Sequence, residues 1–158
     1  MTGVPGRLLG GEALGDAVER LSTAVRPRGA VAGWGTVELD RAETEIGEAL
    51  AAGRLDGRPD AEGAPDDGIL GARCRILRSG GAQQIVLLEP STEGPLAAAL
   101  ARHGEGHVAH YLLVDAGAPE RARQAGFQLS AEAGGPLGRQ RLVVTGPRWG
   151  PFLVLVPE

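Results

Sequence analysis

With 158 residues, of which 42% are hydrophobic and 23% charged, the chain is long enough for one ordinary soluble domain with a real core. Its net charge of -4 sets 20 acidic residues against 16 basic ones. The basic residues are all arginine and scattered from Arg7 to Arg148, with no run that could neutralise a row of phosphates, so nucleic acid is excluded as a partner. No segment reaches the roughly 18 to 20 apolar residues of a membrane span, "MTGVPGRLLGGEALGD" lacks a leader pattern, and the lone Cys74 rules out an intrachain disulfide or a cysteine zinc site. A cytoplasmic protein is expected.

In chain order, "EALGDAVERLSTAV" places Leu14, Val18, Leu21 and Val25 on one helical stripe, which predicts a helix within an N-terminal extension over 1–28. "AVAGWGTVEL" reads as a strand. "DRAETEIGEALAAG" reads as a helix with Asp40 as N-cap, Gly53 as stop, and Glu43, Glu45 and Glu48 on a solvated face. The Gly-, Pro- and Asp-rich segment 54–68 is expected to be a flexible loop. "ILGARCRIL" and "AQQIVLLEP" are strands joined through "RSGG", whose glycines suit a hairpin.

A connector helix follows within 91–106, with Pro95 early and Gly104 at its end. The pattern then repeats over 107–158. "HVAHYLLV" is a strand, "APERARQAG" a helix with Arg121 and Arg123 on its solvated side, and "FQLSAE", "RQRLVVTG" and "PFLVLVPE" three strands. The expected architecture is α+β: two βαβββ modules, 29–90 and 107–158, whose sheets form a cup.

"LLEPSTEGPLAAALARHGEG" followed by a strand, together with the terminal "GPFLVLVPE", resembles the vicinal oxygen chelate superfamily, most closely its glyoxalase and methylmalonyl-CoA epimerase-like branch. The resemblance covers 82–158 well and 29–81 weakly. It implies a ligand cup, often in a dimer, with a divalent metal held by one side chain from each of four strands. Laid on that pattern, the four ligand positions carry Val31 or Gly33, Val86, Ala109 and Val154, none of them a donor. The three histidines, His103, His107 and His110, fall within eight residues, and strand alternation sends His107 and His110 to opposite faces. No metal and no cofactor are therefore expected.

Parity with Val86 and Ala109 points Gln84, His107 and Tyr111 into the cup, joined by Arg139 or Arg141. His107 is the candidate general base, and Tyr111 or an arginine the candidate stabiliser of charge on oxygen. Trp34, Cys74, Gln84, Val86, Ala109, Arg141 and Val154 are the candidate ligand-binding residues, although structural roles for Trp34 and Cys74 remain open. Two functions follow: a metal-free protein binding a small, largely apolar organic molecule, and a cofactor-independent isomerase, epimerase or cyclase. The expected partner is that small organic ligand, with no membrane contact, and a homodimer is left open.

Overall fold

The computed structural model describes residues 16–52, 59–79, 84–144 and 150–158. Helix α1 covers 16–25 among these. It is followed by β1 (Gly29–Gly35), α2 (Leu39–Ala52), β2 (Asp60–Asp67), β3 (Ala72–Arg78), β4 (Gln84–Pro90), α3 (Pro95–His103), β5 (Gly106–Val114), α4 (Ala118–Gln124), β6 (Ala133–Gly135), β7 (Gly138–Leu142) and β8 (Phe152–Pro157). The leading Leu14, the stop Gly53 and the hairpin glycines Gly80 and Gly81 lie outside the described residues. No described helix is long and apolar enough to cross a membrane.

The eight strands form one mixed sheet in the order β2-β3-β4-β1-β5-β8-β7-β6. Read outward from the antiparallel β1–β5 pair, each half is the same: β1 pairs with β4 in parallel and β5 pairs with β8 in parallel. The sheet curls until its outer strands approach each other, and the Gly68 N–H donates to the Gly134 carbonyl at 3.0 Å. The result is a nearly closed curved sheet with α2 on one half of its convex face and α1 and α4 on the other.

The apolar runs in β4 and β8 follow from this arrangement, because central strands covered on both faces need not alternate. Val86 and Leu88 of β4, and Phe152, Val154 and Val156 of β8, join the interior cluster. Their neighbours turn outward: Leu87 packs with Leu39, Ala42 and Leu77 beneath α2, and Leu153 and Leu155 pack with Leu21, Val25, Ala118 and Ala122 beneath α1 and α4. Helix α3 adds Leu96, Ala99 and Leu100 to the interior cluster. It starts on Pro95 and ends at Gly104, whose φ of 79° suits glycine.

Several expectations need correction. Residues 60–67, expected within a loop, form β2. Its sequence shows no apolar period because it is an edge strand whose side chains are exposed except at Ala64 and Asp67, and Pro65 falls where the register with β3 shifts. Ile69 to Gly71 form a turn and β3 begins only at Ala72, because the Asp67 carboxylate accepts the N–H groups of Ile69 and Leu70 and turns the chain there. "FQLSAE" contributes one bridge, Leu129 with Val143, before the short β6. Helix α2 begins one residue before Asp40, since the Leu39 N–H donates to the buried Glu89 carboxylate at 2.9 Å and Asp40 instead pairs with Arg75. Arg121 is more than a solvated charge. Its Nε and Nη2 donate to the carbonyls of Ala24 and Val25, closing the end of α1, while Asp115 holds its guanidinium from the other side.

Glu105 ties the two modules together. Its Oε1 accepts from the Thr36 hydroxyl at 2.6 Å, the Val37 N–H at 2.9 Å and Arg41 Nη2 at 2.6 Å. These bonds, that of Thr36 first, lower its carboxyl from 4.5 to about 2. A carboxyl lowered in the folded state stabilises the fold fully above its unfolded value, and the contribution is lost as pH falls through 4.5 toward 2. Glu105→Gln is expected to lose about 1 kcal/mol at neutral pH and to show a flatter fall in stability between those pH values, as read by urea unfolding at stepped pH.

Candidate functional site

The inner surface of the curved sheet is where the candidate positions meet. Gly33 of β1 is the cross-strand partner of both Val86 on β4 and Ala109 on β5, and Tyr111 pairs with both Val31 and Val154. Partners across a ladder share a face, so these residues converge on one interior surface, as parity predicts. They are packed together there: Val86, Ala109, Tyr111 and Val154 have 0% exposure. A Cβ placed on Gly33 would lie 2.9 Å from the Ala109 Cβ, 3.1 Å from Leu88 Cδ1 and 3.2 Å from the Tyr111 ring. That corner has no room for a methyl group without movement, and still less for an imidazole.

One polar group is built into this surface. Asp67, 1% exposed at the end of β2, accepts the Tyr111 hydroxyl at 2.8 Å through Oδ2, while its Oδ1 takes the N–H groups of Ile69 at 3.0 Å and Leu70 at 2.8 Å. Burial, and then the neighbouring Asp67, push the Tyr111 phenol well above its ordinary value, so it keeps its proton and donates. Cys74 shares this interior, and burial followed by the Asp67 charge pushes its thiol up to about 12. It is a protonated, buried thiol at neutral pH and a poor nucleophile. We predict that an aromatic disulfide reagent leaves Cys74 untouched in the folded chain and titrates one thiol per chain after unfolding in urea. Fast labelling of the native protein would contradict this.

Gln140 is the other interior polar residue. It alternates with Leu142, which pairs with Val154, and it is fully buried with neither Oε1 nor Nε2 hydrogen-bonded among the described residues.

Other candidates lie elsewhere. The ladder between β1 and β5 shifts between Gly33 and Trp34, so Gly33 pairs with Ala109 but Trp34 with His107, leaving Val108 as an extra residue. The bulge turns His107 to the convex face beside Trp34, with ring centroids 5.3 Å apart, edge to face. His107 is therefore exposed and outside the cup, and it shares the convex face with His110 rather than opposing it. Burial, and then His107, lower the His110 imidazole below its ordinary value. Trp34 packs on the cluster beneath α2 instead of facing the interior. Arg141 also points outward, donating to the Ser130 carbonyl at 3.0 Å, and Arg139 pairs with Glu132 at 2.5 Å. Gln84 opens β4 half-buried, lining a separate cleft of about 160 Å³ with Leu50 and Leu77. His103 and His107 line another cleft, of about 240 Å³, with Ala99, Val108, Gly150 and Pro151. Among the described residues no group of three or more His, Cys, Asp or Glu could hold a metal ion.

Two residues of the interior escape a reading by motif. Asp67 lies in a segment read as loop, although an aspartate two and three residues ahead of a turn is an ordinary capping signal. Gln140 is flanked by arginines that draw attention, yet its parity with Leu142 points inward.

No protein-family model matches the sequence, and no curated protein matches it. Solved structures do match. A hypothetical protein, BH1468 from Bacillus halodurans C-125, is 18% identical, with a TM-score of 0.63 over 80% of this chain and 91% of its own. Streptomyces coelicolor methylmalonyl-CoA epimerase, as a variant in complex with 2-nitronate-propionyl-CoA, is 22% identical at 0.63, covering 80% and 94%. A methylmalonyl-CoA epimerase in complex with methylmalonyl-CoA and NH4+ gives 22% and 0.63 over 80% and 91%. The chain has the vicinal oxygen chelate fold.

The sequence resemblance implies a divalent metal held from four positions, and these carry Val31 or Gly33, Val86, Ala109 and Val154, which offer no nitrogen or oxygen side-chain donor. The packing around Gly33 leaves no room there for a larger side chain without movement. These residues do not fit a divalent ion. The glutamates of the "LLEP" and "GEG" junctions serve the scaffold: Glu89 satisfies the start of α2, and Glu105 ties the β1–α2 turn to β5.

Proposed function

We propose that the chain is a metal-free protein of the vicinal oxygen chelate fold that binds a small, largely apolar organic molecule within the curve of its sheet. The observation that carries this reading is the aliphatic interior at all four coordinating positions, with Gly33 too crowded to be extended into a donor. Such a surface grips a guest by shape and exclusion of water. Because the interior side chains already touch one another, the guest enters by parting β2 from β6. That seam includes the Gly68–Gly134 hydrogen bond, and the Tyr111–Asp67 bond reaches from β5 to the end of β2 beside it. An edge strand as exposed as β2 is the part of the sheet that opens most readily.

An aliphatic or acyl guest, of the kind found among bacterial specialised metabolites, suits this wall better than a planar aromatic one, since the chain has only five aromatic residues. The methylmalonyl-CoA in one similar structure is itself an acyl thioester. Calorimetric titration with medium-chain acyl compounds and with planar aromatic compounds tests the reading. Binding of the acyl set without added metal is expected, and a clear preference for the planar set would count against it.

The buried Asp67–Tyr111 pair favours one second reading, a cofactor-independent isomerase, epimerase or cyclase, because a carboxylate and a phenol side by side can take and return a proton. His107 and Arg141 face away from the cup, so this reading rests on Tyr111 and Asp67. Exchange of an acyl α-proton for deuterium, present in the wild type and absent in Asp67→Asn, would support it over simple binding.

A further inference from the structure

We propose that Gln140 is the polar end of the binding hollow, and that the guest presents a hydrogen-bond donor and acceptor side by side, as in a lactam, a primary amide or a protonated carboxylic acid. This rests on the reading of the hollow as a binding site and names the chemistry that site selects.

A carboxamide buried without partners is strongly unfavourable, and folded proteins leave few such groups. Gln140 is one, with both amide atoms unpaired among the described residues at 0% exposure. Its position is set by the fold. A Cβ on Gly135 would lie 2.1 Å from Oε1, 2.3 Å from Cδ and 2.8 Å from Nε2, so the amide takes the space a side chain at Gly135 would need. β7 turns Gln140 to the same interior face as Leu142, whose β8 partner Val154 belongs to the interior cluster, and pairs Gln140 with Ala133 of β6. Leu113 and Leu137 pack on that cluster as partly buried apolar residues. The amide is thus a polar point in an aliphatic wall.

Its two atoms dictate the complement. Nε2 donates and Oε1 accepts from neighbouring positions, so the matching group carries one acceptor and one donor with the same spacing. An ionised carboxylate would satisfy Nε2 and oppose Oε1, which leaves the neutral pairs. A site built around such a pair rejects an analogue lacking one partner, because a buried group is then orphaned again.

The test titrates the full chain with ε-caprolactam, N-methylcaprolactam and cycloheptane, followed by protein amide NMR shifts. The wild type is expected to bind caprolactam at least about tenfold more tightly than its N-methyl analogue, the worth of one buried hydrogen bond. Gln140→Leu is expected to lose that preference and still bind cycloheptane. Gln140→Met is the alternative should the leucine variant fail to fold. Gly135→Ala, which displaces the amide without deleting it, is expected to act the same way. Binding of cycloheptane with no lactam preference in the wild type would overturn the role of Gln140 and leave the apolar hollow standing. A preference that survives in Gln140→Leu would overturn it too, with the amide then satisfied by solvent alone. Failure of all three probes to bind would overturn both the role of Gln140 and the hollow as a binding site.

Discussion

Asp67→Ala is expected to destabilise the folded chain by about 3–5 kcal/mol, because one carboxylate holds three donors and its removal strands the Leu70 N–H and the Tyr111 hydroxyl in the interior. The Ile69 and Leu70 N–H groups would lose the contact that turns the chain from β2 into β3, and the Tyr111 hydroxyl, fully buried, would have no replacement for it. The loss is of the seam as much as of a bond, since Asp67 is also the last residue of β2 and the next residue, Gly68, donates across to β6. Tyr111→Phe should be milder, about 1–2 kcal/mol, because the two backbone donors still occupy Asp67. Urea unfolding of both variants checks the order. Equal and small effects would mean that the pair is incidental to the closed sheet.

Gly33→His, which places an imidazole at one of the two candidates for the first ligand position, is expected to be destabilising by about 3 kcal/mol or more and to gain no metal affinity. The added Cβ alone meets Ala109, Leu88 and Tyr111 at 2.9–3.2 Å, and a ring beyond it would have to displace them. Gly33→Ala isolates the first part of this effect and should cost about 1–3 kcal/mol. Chemical denaturation with and without divalent ions measures both, and a histidine variant stabilised by such an ion would show that the corner opens.

The strands were largely legible because their burial follows simple rules. Continuous apolar runs in β4 and β8 announce strands covered on both faces, and alternation correctly gathers Val86, Ala109 and Val154 on one interior surface. Alternation fails where the ladder does. One extra residue at Val108 moves His107 from the cup to the convex face, and no side-chain pattern announces such a bulge. β2 stayed hidden for a different reason, since an edge strand with only Ala64 and Asp67 withdrawn from solvent has no hydrophobic period to read. Residue type alone does not give the face: the ladder turns Trp34 and Arg141 outward, Trp34 onto the cluster beneath α2 and Arg141 onto the Ser130 carbonyl. The junction glutamates carry the resemblance in sequence, and in the structure Glu89 holds the start of α2 and Glu105 the turn before it.

The interior is aliphatic at the positions where the sequence resemblance implies a metal. Titration of the methyl-labelled chain with Mn²⁺ tests it at the site itself, because a paramagnetic ion broadens resonances only close to where it binds. The methyl signals of Val86, Leu88 and Val154 are predicted to stay sharp at one equivalent and beyond. Selective loss of those three signals at one ion per chain would place a metal in the curve of the sheet and contradict the account.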